Sequence, residues 1–102
     1  MPPLSPEEAQ SRLASLAGWQ IVAGELVKTF QFKDFVASLR FVNQVGELAE
    51  RAGHHPDIDI RYNRVRLALT THDAGGLTQK DFDLAAHAQK LADQGNRTTI
   101  ES

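Results

Sequence analysis

The chain has 102 residues, and 11 Lys and Arg against 13 Asp and Glu give a net charge of −2 with neutral histidines. It has no cysteine, which excludes disulfide scaffolds, cysteine-ligated zinc and cysteine nucleophiles, and its near-neutral charge argues against non-specific nucleic-acid binding. No apolar run approaches the roughly 18 residues of a membrane span, and the N-terminus lacks the basic and apolar regions of a leader peptide. From the length we expect one domain over 1–102, and the absence of cysteine is compatible with the cytoplasmic location that we expect.

The first third of the chain predicts a helix followed by two short strands. Ser5 can cap the helix, Glu8 can complete a capping box, and Gly18 suits the left-handed position at its end. Strands are predicted over 19–22 and 26–32, with a short turn between them.

A long helix and a third strand come next. Asp34 can cap a helix over 35–52, in which apolar residues recur every three or four positions, and Gly53 ends it. Over 57–62 isoleucine and tyrosine alternate with charged residues, which indicates a half-buried strand.

The last third predicts one more strand and one more helix. A tight turn at 63–64 leads into a strand over 65–71 that runs into a histidine. Thr78 and Asp81 form a capping-box-like start of the final helix, which is expected to stop at Gly95 and leave the polar tail unassigned.

The order α-β-β-α-β-β-α predicts an α+β fold. Each strand pair is joined by a turn too short for a parallel crossover, so each pair is an antiparallel hairpin. Because the strands alternate apolar and polar residues, one sheet face is covered and the other is solvated. We therefore expect a four-stranded antiparallel sheet with three helices packed on one face, leaving the other face and the edges for self-association.

Three of the four histidines lie at the ends of predicted elements. His54 and His55 follow the long helix, and His72 follows the last strand. That strand returns toward the start of its partner, so the three imidazoles are expected at one end of the sheet. Imidazoles exchange protons near neutral pH, and a site with several of them can supply both an acid and a base.

Other interpretations of these residues stay open at this stage. A histidine after a helix is often a cap or a solvated loop residue. His87, alone on the last helix, is likewise expected to be structural or solvated, without a functional role. A three-histidine metal site is a more specific alternative to proton transfer. It would require His54 and His55 to turn the same way, although adjacent side chains on an extended segment point in opposite directions. Glu50 can orient an imidazole or simply be solvated, and Trp19 is either a core residue or a platform for a ligand.

A longer spaced pattern carries a family resemblance. It consists of Glu50, three residues, His54-His55-Pro56, five residues, Tyr62, nine residues, His72, eight residues and Asp81. Further matches are Gly18-Trp19, Phe30-Gln31-Phe32, Thr71-His72 and Gly76-Leu77-Thr78. With these residues the chain resembles the pterin-4a-carbinolamine dehydratases over roughly 13–91.

The resemblance implies an activity and a set of site residues. Family members dehydrate 4a-hydroxytetrahydrobiopterin to quinonoid dihydrobiopterin after aromatic amino-acid hydroxylation, without a metal or an organic cofactor. By position, the catalytic residues are His54, His55 and His72. The candidate substrate-binding residues are Gly53, His54, His55, Thr70, Thr71 and His72, with Glu50 and Trp19 as further candidates.

The resemblance also implies partners. Members are homodimers or homotetramers, take a pterin substrate and serve an aromatic amino-acid hydroxylase pathway. Animal members are also dimerisation cofactors of a homeodomain transcription factor. An oligomeric protein-binding module with a vestigial site is therefore the alternative to an enzyme.

Overall fold

The computed structural model describes the backbone of residues 2–101 and the side chains of residues 2–96. Within these residues the predicted order of elements is confirmed. The elements are α1 (Pro6–Leu13), β1 (Gln20–Val22), β2 (Glu25–Gln31), α2 (Phe35–Ala52), β3 (Asp57–Arg61), β4 (Arg64–Leu69) and α3 (Gln79–Glu101).

The sheet has the strand order β1-β2-β4-β3 and is antiparallel throughout. In its centre Leu26 pairs with Leu69 and Phe30 pairs with Val65, so large apolar side chains of β2 and β4 share one face. All four of these side chains are buried. The opposite face carries the charged residues of β3, although Val27 and Ala68 on that face are buried, so it is only partly solvated as predicted.

The helices cover the apolar face of the sheet and form the core with it. The buried apolar residues of the helices are Ala9 in α1, Phe41, Val45 and Ala49 in α2, and Phe82, Leu84, Ala85, Ala88 and Ala92 in α3. The Phe41 ring lies 5.0 Å from that of Phe30, which joins α2 to the sheet. In residues 2–101 no helix combines the length and the apolarity needed to cross a bilayer.

Capping residues act at the helix ends where the sequence placed them. Ser5 and Glu8 form a reciprocal capping box, and the backbone N–H of Ser5, donating to the Glu8 carboxylate, lowers the pKa of that group. The Asp34 carboxylate accepts the Ala37 N–H at 2.8 Å. At the far end of α2, Gly53 adopts φ +63°, so the predicted bounds of this helix are confirmed at both ends.

Two predicted helix ends are wrong. The first helix ends at Leu13, and successive turns through Leu16 then carry the chain to Gly18, whose φ of +85° leads into β1. The last helix continues past Gly95 to Glu101. Gly95 does not take a left-handed conformation, and a helical glycine costs only about 1 kcal/mol relative to alanine, so it weakens a helix without ending it.

The turn of the second hairpin lies one residue earlier than predicted. Arg61 and Arg64 are the last paired residues, which leaves Tyr62 and Asn63 as the turn, with Tyr62 at φ +53°. The Asn63 amide donates to the Phe32 carbonyl at 3.0 Å, and the Phe32 N–H donates to the Asn63 carbonyl at 2.8 Å. These bonds to the end of β2 fix the turn at 62–63.

Candidate active site

Two segments named by the sequence lie side by side at the open end of the β3–β4 hairpin. The last residues paired in this ladder are Asp57 and Ala68. Segment 53–55 leads into β3 and segment 70–72 follows β4, so both adjoin the hairpin at the same end. The register therefore brings the His54-His55 pair and the chain around His72 to one end of the sheet.

The segment around His72 departs from the predicted strand. β4 ends at Leu69, and His72 begins a 3-10 turn instead of ending the strand. Thr71 forms an isolated bridge with Gly76 of its own loop, and its N–H donates to the Gly76 carbonyl at 3.2 Å. This local pairing replaces pairing with β3. The His72 side chain is exposed and makes no hydrogen bond among the described side chains.

His54 turns inward directly after the end of α2. The left-handed Gly53 reverses the chain, and the His54 N–H donates to the Ala49 carbonyl at 3.1 Å. The His54 side chain is 11% exposed, and its Nε2 lies 2.5 Å from Oδ1 of Asp81. A mostly buried imidazole thus contacts a fully buried carboxylate at the start of α3.

Asp81, which has no exposed surface, is the centre of a hydrogen-bond network. Its Oδ2 accepts the Thr71 hydroxyl at 2.8 Å and the Thr78 N–H at 2.9 Å. The hydroxyls of Thr71 and Thr78 are themselves 2.8 Å apart. Through this one carboxylate the end of α2, the loop before His72 and the first turn of α3 are held together.

His55 lies in different surroundings from its neighbour. Its Nε2 contacts Oε2 of Glu50, and the two side chains are 60% and 77% exposed. Solvent-exposed ion pairs contribute little to stability, so this contact orients the imidazole more than it supports the fold. The expectation that His54 and His55 occupy different environments agrees with this geometry.

A cavity of about 200 Å³ opens beside His54. Its apolar lining is Leu48, Ala52 and Leu84, and its polar lining is His54, Lys80, Asp83 and His87. From the sequence, His87 is expected to have no role in the site, and neither Lys80 nor Asp83 is predicted as a site residue. The available signal was their spacing from one another: Lys80, Asp83 and His87 are at positions i, i+3 and i+7, which lie on one face of a helix.

Trp19 is not brought to this cluster. Its ring is buried edge-on against Phe30, with 5.7 Å between ring centroids, and its Nε1–H donates to Gln89 at 3.1 Å. It precedes β1, which is the sheet edge opposite β3. The Lys28 ammonium shares the Gln89 oxygen at 2.7 Å, which accounts for a lysine on the covered face of β2. Trp19 is therefore a core residue.

The described side chains contain no group of three or more His, Cys, Asp and Glu residues arranged to hold a metal ion. His54 and His55 instead direct their Nε2 atoms at two different carboxylates.

Comparison with known proteins assigns the chain to a family. The profile described as "Pterin 4 alpha carbinolamine dehydratase" matches residues 2–91. The chain belongs to this family. Dehydratase-family relatives include proteins of Acidobacterium capsulatum and Chloroflexus aurantiacus, which are 60% and 62% identical over 91 residues. The alignments cover 89% of this chain and 99% and 98% of those proteins, whose names assign them provisionally to the dehydratases.

Two solved structures extend the comparison within the pterin dehydratase family. A transcriptional coactivator/pterin dehydratase from Brucella melitensis superposes with a TM-score of 0.85 and 35% identity, over 88% of this chain and 98% of that one. A pterin dehydratase-like protein identified as a RuBisCO assembly factor in the alpha-carboxysome superposes with a TM-score of 0.61 and 25% identity. The match covers 72% of this chain and 86% of that one. The fold therefore occurs in proteins with different stated roles.

Proposed function

We propose that this chain dehydrates 4a-hydroxytetrahydrobiopterin to quinonoid dihydrobiopterin. In this reaction an acid protonates the C4a hydroxyl, the C4a–O bond breaks, and water leaves. A base removes the proton from N5, and the C4a=N5 double bond forms. The reaction involves no oxidation or reduction, so proton donors and acceptors meet its chemical needs without a metal or an organic cofactor.

The observation that supports the proposal is that His54 of segment 53–55 and Thr71 of segment 70–72 bond the same carboxylate, that of Asp81, at one end of the sheet. Three imidazoles in three environments serve the reaction: His54 buried against a carboxylate, His55 beside an exposed carboxylate, and His72 without a partner among the described side chains. We assign catalysis to these histidines. Groups that differ in surroundings are suited to divide the acid and base roles between them.

Substrate contact is assigned to the same two segments. Gly53, His54 and His55 form one side, and Thr70, Thr71 and His72 form the other. The Thr71 hydroxyl already donates to a buried carboxylate, so its contact with substrate falls to the backbone. Glu50 is given an orienting role through its contact with His55.

The test is a dehydration assay with the single variants His54→Ala, His55→Ala and His72→Ala. A general acid or base contributes about 10²–10⁴-fold to a rate, so each variant is expected to lose about 10²-fold or more in kcat/KM. Gln31→Ala, an exposed position on β2, serves as the control and is expected to keep the wild-type rate. If all three histidine variants keep the wild-type rate, the assignment fails.

We further propose that the chain forms a homodimer or homotetramer. Phe35, Val36 and Leu39 are exposed on the first turns of α2, and Ile58 is exposed on the edge strand β3. An apolar patch and an unpaired strand edge are features that association covers. Light scattering on the purified chain should give the mass of two or four copies, and the mass of one copy would contradict this.

The proposed setting is tetrahydrobiopterin recycling in the cytoplasm, with an aromatic amino-acid hydroxylase as pathway partner. In a coupled assay with such a hydroxylase and a quinonoid dihydropterin reductase, adding the chain should shorten the lag before reductant is consumed. An unchanged lag would separate the chain from this pathway.

A protein-binding role is the second candidate, and the carboxysome assembly factor at 25% identity is what favours it. In that case the histidine cluster is vestigial and the exposed patch on α2 is the working surface. An inert wild-type chain that still forms a stable complex through Phe35 and Leu39 would favour this function over catalysis.

A further inference from the structure

We infer that Asp81 is a positioning residue for the proposed dehydration: it fixes the proton of His54 on Nε2 and leaves Nδ1 as the nitrogen that meets substrate. The inference rests on the proposed function for its reaction, but the state of the His54 ring can be measured without substrate. Sequence reasoning treated Asp81 chiefly as the start of a helix.

The direction of each hydrogen bond around Asp81 follows from its partners. An ionised carboxylate only accepts hydrogen bonds. The Thr78 N–H and the Thr71 hydroxyl both donate to Oδ2, so the Thr71 hydroxyl has no second hydrogen to donate elsewhere. The hydroxyl of Thr78 must then donate to that of Thr71, and the contact at Oδ1 is left to His54.

The proton in the His54–Asp81 contact lies on the imidazole. Imidazole is a stronger base than a carboxylate, so a proton shared between them resides on nitrogen. Nε2–H therefore donates to Oδ1 across 2.5 Å, and Nδ1 has no hydrogen-bond partner among the described side chains. A neutral imidazole has one donor and one acceptor nitrogen, so the bond at Nε2 decides that Nδ1 accepts.

Burial makes this arrangement rigid. Asp81 has no exposed surface and the His54 side chain is 11% exposed, so the contact between them is largely shielded from water. The other charged or titratable groups that face His54 across its cavity are Lys80, Asp83 and His87. None of them makes a hydrogen bond to the His54 ring.

The same carboxylate also sets the distance between the two substrate-contacting segments. His54 and Thr71 lie on opposite segments, and each bonds a different oxygen of Asp81. Because Thr71 directly precedes His72, the position of the third histidine depends on this bond. Asp81 therefore orients one imidazole and places another.

The experiment reads the His54 tautomer directly by two-bond ¹H–¹⁵N NMR correlation on the wild-type chain with ¹⁵N-labelled histidine, at a pH where the ring is neutral. The expected result is a protonated Nε2 and an unprotonated Nδ1. A protonated Nδ1 would overturn the inference. This reading is independent of activity, so an inert chain with the expected tautomer would sink the proposed function and leave the role of Asp81 intact.

Asp81→Asn adds the kinetic half of the test. Its carboxamide N–H₂ can donate to Nε2, which would move the proton to Nδ1 and lower kcat by about 10²-fold, with KM changed less than about twofold. Asp83→Asn, in the same helix but exposed, is the matched control for tautomer and stability. Thr71→Val keeps the carboxylate and should keep the wild-type tautomer. An Asp81→Asn variant with unchanged tautomer and kcat would contradict the inference.

Discussion

His54 and His55 are adjacent, carry the same side chain and both contact a carboxylate, yet their surroundings differ. The His54 ring is 11% exposed and faces Asp81, which has no exposed surface. The His55 ring is 60% exposed and faces Glu50, which is 77% exposed. The His54–Asp81 pair is therefore held within the fold, whereas the His55–Glu50 pair lies at its surface.

The cause of the difference is local. Gly53 reverses the chain in a left-handed conformation, and Pro56 biases the preceding residue toward an extended backbone. Neighbouring side chains on an extended segment point in opposite directions, so one ring enters the protein and the other faces solvent. The comparison teaches that two adjacent histidines can differ sharply in how far they support the fold.

Removing the buried carboxylate should have the largest effect. Asp81→Ala leaves the Thr78 N–H and the His54 Nε2–H without an acceptor in a buried place, so the free energy of unfolding should fall by about 3–5 kcal/mol. Urea denaturation followed by circular dichroism measures it. Among the described residues the exposed Asp83 carboxylate accepts only a Gln79 amide hydrogen, so Asp83→Ala should change the free energy of unfolding by less than about 0.5 kcal/mol.

The two histidines should then separate clearly. His54→Ala removes a mostly buried ring and one donor to a buried carboxylate, which should lower the free energy of unfolding by about 2 kcal/mol. His55→Ala removes an exposed ring and should change it by less than about 0.5 kcal/mol. Equal losses of stability in the same denaturation experiment would remove the distinction between them.

The turn that separates the two rings should contribute less. Gly53 has φ +63°, which costs an L-residue about 1–2 kcal/mol, and the space around it is open. Gly53→Ala should therefore lower the midpoint of thermal unfolding through backbone strain alone. Gly53→Asn is the matched variant and should lose less, because asparagine tolerates this conformation. A stabilised alanine variant would contradict the left-handed turn.

Glu50→Gln should have the smallest effect on stability, below about 0.5 kcal/mol, because both partners are exposed. Its effect should instead appear in the NMR signals of the His55 ring, which lose their carboxylate neighbour. Stability that falls by as much as in His54→Ala would show that the exposed pair also supports the fold.

The sequence predicted the elements that local signals define. Asp34 and Gly53 mark both ends of α2, and the predicted helix over 35–52 is confirmed. The predicted helix end at Gly95 is wrong because glycine is common after a helix end but is also tolerated within a helix. The turn at 62–63 depends on bonds between Asn63 and Phe32, residues far apart in the chain, which no local pattern shows.

The site was predictable as far as strand register could reach. Antiparallel return predicts His72 at the same end of the sheet as the histidine pair, and β3 and β4 do pair antiparallel. The burial of His54 against Asp81 was not predictable from spacing, because it depends on how α3 packs at the end of the sheet. Trp19 shows the same limit, since its burial against Phe30 follows from tertiary packing.

The central claim is that the wild-type chain itself dehydrates a 4a-hydroxytetrahydropterin. Stopped-flow absorbance can follow water loss from freshly generated substrate with increasing amounts of purified protein. The account predicts a rate that rises in proportion to protein concentration and exceeds the buffer rate by at least about 10²-fold at saturation. A rate that stays at the buffer value at every protein concentration would contradict it.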